Sequence, residues 1–535
     1  MSQALHIFKK DVRHLRFDIA IAITVTALFA FIETKHALWP VDAVNSRTPA
    51  SYLALLLLPV AWWMLIGRAI HDEALPGDRQ FWITRPYSWR SLLSAKILFI
   101  LAFINLPMLI AQVVIVRAYG FSIGAEFPGI LCSQVLLTIV FVLPVLATSA
   151  LTEGFVQLIA GILTPCVIAV ALAGLSFNFK PQSILIGFAG VSSNGHEWVR
   201  SYLIFFIIIV AASAILYWQY SRRRTTVARS FAVAAWILVA LVFYLVSWSA
   251  AFRIDSALSR SQVDLSSTRL LSDLDTKKPH IGFRQGVEEV SVSVPFQIVG
   301  LPSGTTARIE NLSARFQSPD GTTWNSDGFS WANPDGPDEQ FNVRSGFYGG
   351  SYLTRNDVPV RVRGTVYLAV FGNPHTTQVA FGERPVPVPK VGLCSATEDV
   401  NRQNYTVICN SAFRSPTALV SYRFVQPVGD ASSEINSLKL RLNMAELAVS
   451  RLVRPGQVGF SPFVGGLGQM SFSPFPADLS ISPVSHDFRQ SWVPTPWDHA
   501  LVETLEPLGH IRLDFDVDLG KATMYRSNNN EKIRP

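Results

Sequence analysis

Residues 68–96 read Arg68-Ala69-Ile70-His71-Asp72-Glu73-Ala74-Leu75-Pro76-Gly77-Asp78-Arg79-Gln80-Phe81-Trp82-Ile83-Thr84-Arg85-Pro86-Tyr87-Ser88-Trp89-Arg90-Ser91-Leu92-Leu93-Ser94-Ala95-Lys96. The stretch is charged and broken by Pro76-Gly77-Asp78, yet it lies between two almost uncharged runs, 51–69 and 96–116. Each run approaches the ~20 apolar residues that a helix needs to cross a bilayer core. The segment is therefore a polar loop between two membrane helices. Further runs of this kind cover 17–33, 128–149, 154–174, 201–219 and 231–250, which predicts about seven transmembrane helices. The fourth and fifth are separated by Ala150-Leu151-Thr152-Glu153, a tight hairpin.

Charge divides the chain at the same place as hydropathy. Of 535 residues, those up to 250 carry 18 Lys and Arg against 10 Asp and Glu, a net of +8. The remainder carries 27 against 28, a net of −1. The basic excess belongs to the membrane half and reflects topology, not nucleic-acid binding. With the N-terminus inside, the inner segments hold 13 basic residues (Lys9 to Arg16, Arg68 to Lys96, Arg222 to Arg229) and the outer loops 5. That is the bias expected of cytoplasmic loops. Seven crossings then place everything after residue 250 outside the cytoplasm, with the protein in the cytoplasmic membrane. A cleaved signal peptide over the first run is disfavoured, because that run exits through Glu33-Thr34-Lys35 and not through a small-residue cleavage site.

Before the first run, Leu5, Phe8, Val12 and Leu15 recur at helical spacing, with Lys9, Arg13 and Arg16 on another face. This predicts an amphipathic helix lying in the membrane interface. Residues 251–281 mix Ser, Asp and Arg and read as a linker or stalk. From 282 to 535 the period changes to two. Val290, Val292, Val294, Phe296 and Ile298 alternate with polar residues, as do Leu513, Phe515, Val517 and Leu519 with Asp514, Asp516 and Asp518. Turn signals such as Pro319-Asp320-Gly321 and Asn333-Pro334-Asp335-Gly336 separate the runs. An all-β, sandwich-like extracytoplasmic domain is predicted, in which only Leu438–Leu452 reads as a helix. Cys394 and Cys409 flank the turn-rich Glu398-Asp399-Val400-Asn401 on the side where oxidation is permitted, and are expected to form a disulfide.

The 68–96 loop resembles the cytoplasmic loop after the second helix of ABC-2 type permeases, the membrane subunits of ATP-binding-cassette exporters. The matching positions, in order, are Glu73, Gly77, Arg79, Trp82, Thr84, Arg85, Pro86, Ser88, Arg90, Leu92, Leu93, Ala95 and Lys96. The resemblance covers roughly residues 1–220 and extends to the interfacial N-terminal helix and to a short apolar island at 183–190, where the family carries re-entrant helices. It implies that Glu73, Gly77, Arg79, Trp82, Arg85, Pro86, Arg90 and Lys96 form the loop through which a separate ABC ATPase subunit couples to the membrane part. Pro86 would open a short helix seated on that ATPase. The resemblance also implies a second permease subunit in a homo- or heterodimer within the lipid bilayer. A seventh helix departs from the six of the family.

The chain carries no phosphate-binding G-x-x-x-x-G-K-[ST]; the nearest piece, Leu519-Gly520-Lys521-Ala522, lacks the first glycine and the hydroxyl residue. Asp18, Glu33 and Glu153 sit at the ends of the runs, not within them, which argues against ion-driven transport. Asp514-x-Asp516-x-Asp518 fails as an EF-hand loop, since Leu519 and Tyr525 stand where Gly and Glu are needed. No catalytic, cofactor-binding or metal-ligating constellation is expected, and ATP hydrolysis falls to a partner. The reading is a permease subunit that moves a hydrophobic or amphipathic substrate outward. The alternative is a non-transporting membrane anchor displaying an outer binding or assembly domain.

Overall fold

The computed structural model describes residues 2–38, 49–72, 88–161 and 197–258, and in the second half 261–272, 280–284, 289–317, 323–325, 340–348, 359–382, 384–389, 392–399, 404–410, 418–425, 440–442, 479–481, 499–521 and 524–525. The chain divides into two compact units, one comprising Met1–Ala251 with Thr376–Thr504 and the other Phe252–His375 with Leu505–Pro535.

The first unit opens with α1 (Ser2–His14), a break at Leu15, and α2 (Arg16–Leu38). The helices α3 (Pro49–His71), α4 (Trp89–Ala118), α5 (Ile123–Leu151), α6 (Glu197–Tyr217) and α7 (Thr225–Leu245) follow. Among the described residues, five stretches are long and apolar enough to cross a membrane: Arg16–Lys35, Trp89–Ala118, Ile123–Leu151, Tyr202–Arg222 and Thr225–Val242. α3 adds a 23-residue helix rich in Leu. The protein is membrane-embedded. Two of the expected features, most of the run 154–174 and the island 183–190, lie outside the described residues.

α1 buries Ile7 and Asp11, and Leu15 at the break continues the same step of four, with Ala4, Phe8 and Val12 flanking them. The buried stripe is therefore rotated from the one expected, and Leu5 faces outward. The reason is Asp11, whose ion pair, described below, sets the face. α2 and α3 are joined near their middles by Trp62, whose indole N–H donates to Thr26 Oγ1 at 3.3 Å. At one end Arg68 donates to Asp18 at 2.7 Å. That pair is exposed on the arginine side, so it adds little stability.

α4 and α5 each contain one π turn, Leu101–Asn105 and Thr138–Val142. Proline accounts for both. Pro107 and Pro144 have no N–H to donate to a carbonyl one turn back, and their rings crowd it. Widening the preceding turn relieves the clash without leaving the helix. At the far end of α5, Arg229 of α7 donates to the terminal carbonyl of Leu151 at 3.3 Å.

After α7, the helix α8 (Trp248–Leu258) and the strand β1 (Arg269–Ser272) occupy the segment expected to be a linker. The second unit is built on β2 (His280–Arg284), β3 (Glu289–Val299), β4 (Thr306–Gln317), β5 (Thr323–Asn325), β6 (Gln340–Tyr348) and β7 (Pro359–Ala380). It also takes in Leu505–Lys521 of β14 (His499–Lys521) and β15 (Met524–Tyr525). One sheet runs β1-β3-β2-β15 with β6 also on β3; another contains β14-β7-β4-β5. Phe296 and Ile298 of β3 share a core with Leu312 and Ala314 of β4, Val362, Val366, Leu368 and Val370 of β7, and Phe515 and Val517 of β14. The Phe296 and Phe515 rings meet at 4.8 Å.

The alternation read in β14 is realised: Phe515 and Val517 are buried while Asp514, Asp516 and Asp518 are exposed. Asp516 accepts from Arg361 at 2.6 Å and from Arg363 at 2.9 Å, and Asp514 accepts from Thr365 at 2.6 Å. The Arg361 hydrogen bond holds the Asp516 carboxyl below its ordinary value, and the Thr365 hydrogen bond, with Arg512, does the same for Asp514.

A further sheet runs β8 (Val386–Val388), β9 (Gly392–Asp399), β10 (Asn404–Asn410) and β13 (Leu479–Ile481). In β9 and β10, Cys394 stands directly opposite Cys409. Part of the predicted helix 438–452 is corrected: Leu440–Leu442 is a strand, β12, paired with β11 (Ala418–Val425). Leu438, Leu440 and Leu442 alternate with Lys439 and Arg441, a period of two that suits a strand better than a helix. The rest of that stretch lies outside the described residues.

Candidate functional site

The expected coupling loop is seen only at its end. Glu73, Gly77, Arg79, Trp82, Arg85 and Pro86 lie outside the described residues. The described helix starts at Trp89, where Ser88 Oγ accepts from the Ser91 N–H at 3.1 Å. Serine is a strong N-cap, because its oxygen satisfies one of the helix's free donors. Arg90 is exposed, its guanidinium 5.5 Å from the centre of the Trp89 ring. Trp89 itself packs edge-on against Tyr217 at 6.1 Å.

Lys96 has a different environment. It is 1% exposed, on the face of α4 that also buries Leu92, Ala95, Phe99 and Ile100. Its Nζ donates to Asp11 Oδ2 of α1 at 2.8 Å, and the Asp11 side chain is 2% exposed. A buried charge of either sign alone would cost several kcal/mol, so each residue requires the other. Ser88 N–H also donates to Gln3 Oε1 of α1 at 3.4 Å. The amphipathic helix is thus held along the first turns of the helix that leaves the loop. Phe8 of α1 stacks on Phe103 at 6.0 Å and meets Phe99 edge-on at 6.4 Å.

Beyond Lys96, α4 and α5 carry a ladder of uncharged polar side chains inside the apolar bundle. Gln112 Nε2 donates to Ser133 Oγ at 3.0 Å, and Gln134 Nε2 donates to Gln112 Oε1 at 2.7 Å. Asn105 Nδ2 donates to Gln134 Oε1 at 3.2 Å and to Thr138 Oγ1 at 2.9 Å. Thr138 Oγ1 in turn donates to the Gln134 carbonyl at 2.9 Å. Asn105, Gln112, Ser133 and Gln134 are all buried. Asn105 and Gln112 are seven residues apart, two helical turns, so they share a face. Asn105 closes one π turn and Thr138 opens the other, so their hydrogen bond joins the two widened turns.

The ladder holds no titratable group. It can hold two helices together and present hydrogen-bonding atoms inside the membrane. Between membrane helices such bonds contribute about 0.6–2 kcal/mol each. A search restricted to charged residues within the spans misses it. The readable signals were neutral polar side chains at helical spacing, Asn105 with Gln112 and Gln134 with Thr138, and the prolines two residues after each π turn. Among the described residues no three His, Cys, Asp or Glu side chains are placed to hold a metal ion.

Compared with protein-family models, with curated proteins and with solved structures, the chain has no match.

Proposed function

We propose that this chain is the membrane subunit of an exporter of the ABC-2 permease type, driven by a separate cytoplasmic ATPase and working as a pair of permease subunits. The observation that carries the reading is the order of residues from Glu73 to Lys96 in a loop between two apolar helices. The amphipathic α1 preceding the first span supports it, because α1 is bound to the loop's far end through Asp11 and Lys96. ATP-driven closure of the ATPase would push the loop, and α1 would move with it. Seven crossings, with the β-rich half as an extracytoplasmic sandwich, complete the proposal.

Arg85→Glu tests the coupling. The reversal sets like charge against an acidic ATPase surface, and losing a close interfacial charge pair costs about 2–5 kcal/mol. Twelve of the 13 inner basic residues remain, so insertion should be normal. The expected result is unchanged membrane abundance with loss of the ATPase that co-purifies in mild detergent. If no ATPase accompanies the unaltered chain, the anchor reading takes its place. If Arg85→Glu combined with Trp82→Ala leaves an associated ATPase in place, the loop is only a topological flank.

The outer location has its own test. Directly opposed residues of an antiparallel pair lie about 4.5–5.5 Å apart at Cα, within the range a disulfide spans. Cys394 and Cys409 are so opposed, and Cys394 is fully buried. Their bond would close a loop of about 15 residues, so Cys394→Ser should lower the stability of this region by ~3 kcal/mol. Mass spectrometry of protein isolated without reductant should find the two cysteines bonded. Two freely alkylatable thiols would place this half in a reducing compartment and end the topology.

A further inference from the structure

The polar ladder ends on an unused atom. Thr138 donates its hydroxyl proton to a backbone carbonyl, which can only accept, so Thr138 Oγ1 is left as an acceptor for Asn105. Both Asn105 N–H groups therefore point into the ladder, toward Gln134 and Thr138. Asn105 Oδ1 is buried and has no hydrogen-bond partner. An acceptor stranded in an apolar interior has lost its hydration without replacement, a loss that a donor arriving there recovers. The opposite end of the ladder, Gln112 with Ser133, is sealed, whereas Thr138 beside Asn105 is only half-buried.

From this we propose that Asn105 Oδ1, flanked by Thr138, is a binding position for the hydroxyl or amide N–H of an uncharged amphipathic molecule. Resting on the permease reading, this narrows the cargo to neutral amphiphiles that carry a hydrogen-bond donor. A metal cation does not suit the position, since a hard cation needs about six oxygens or more and one is on offer. An anion does not suit it either, because the atom presented is an acceptor. The buried charges of Asp11 and Lys96 are engaged with each other, and Lys96 lies nine residues from Asn105, about 13 Å along the helix.

The test uses the full-length protein in phosphatidylcholine nanodiscs and two photoreactive probes, a long-chain alcohol bearing a diazirine and its methyl ether. The alcohol should label the 101–142 region about fivefold more than the ether, the factor that one net hydrogen bond supplies. An unlabelled alcohol of the same length should compete in the unaltered protein. Asn105→Leu should abolish the difference, with helical content unchanged by circular dichroism. Equal labelling by alcohol and ether, or a preference that survives Asn105→Leu, overturns the proposal. ATPase co-purification is scored on the same preparation, so a failure of the permease reading is seen separately from a failure of this site.

Discussion

Lys96→Met should be the most damaging single change in the membrane half. It leaves the Asp11 carboxylate buried without its ammonium partner, and breaking a buried pair from one side costs ~3–5 kcal/mol. Both side chains are almost wholly enclosed, at 1% and 2% exposure, so solvent does not dampen the effect. Asp11→Leu added to Lys96→Met should recover most of the loss. An apolar pair fills the same space with no charge to desolvate, and such exchanges are often neutral. Thermal unfolding of the purified full-length protein, followed by circular dichroism, measures both. If the single and double variants melt together, or the single melts with the unaltered protein, the pair is not a structural tie.

The second large effect is expected at Gly364 of β7. A Cβ there would stand 2.4 Å from Phe515 Cζ and 2.4 Å from the Ser313 carbonyl oxygen. The ring could move only by displacing Phe296, against which it packs, and the carbonyl belongs to the neighbouring strand β4. Overfilling a core commonly costs about 1–3 kcal/mol, and a clash with backbone as well as a ring takes Gly364→Val above that range. Hydrogen exchange on the full-length protein should show lost protection across 359–371 and 511–519. Protection equal to that of the unaltered chain would mean that the sheet shifts to admit the side chain.

The two halves were unequally readable. Long apolar runs announce membrane helices because a bilayer requires a continuous length, and 17–33, 96–116, 128–149, 201–219 and 231–250 all correspond to helices. β14 was equally plain, since strict alternation of Asp with apolar residues has few other uses. Lys96 was read as the last residue of a solvated loop, and there local sequence gave no warning. Its environment is decided by Asp11, 85 residues earlier, on a helix that docks from elsewhere. A clue did exist in α1, where Asp11 falls between Ile7 and Leu15 at steps of four and so interrupts an apolar stripe. The short strand at Leu440–Leu442 falls inside the stretch read as a helix, although there Leu alternates with Lys and Arg at a period of two. The amide ladder escaped because neutral polar residues barely disturb the hydropathy of a span.

The paired π turns have one more consequence, which concerns counting. A helix that takes an extra residue into one turn arrives at its next turn about 100° out of phase with an uninterrupted α-helix. Gln112 faces α5 with that offset already included. Deleting one residue from 101–105 would restore an ordinary helix of nearly the same hydropathy, yet swing Gln112 away from Ser133 and Gln134. A deletion within 138–142 would turn the whole segment Leu143–Leu151 by the same angle. Spans usually tolerate small changes of length by tilting; these two are keyed to residue number. In homologous chains a one-residue gap at either place should therefore travel with the loss of Pro107 or Pro144.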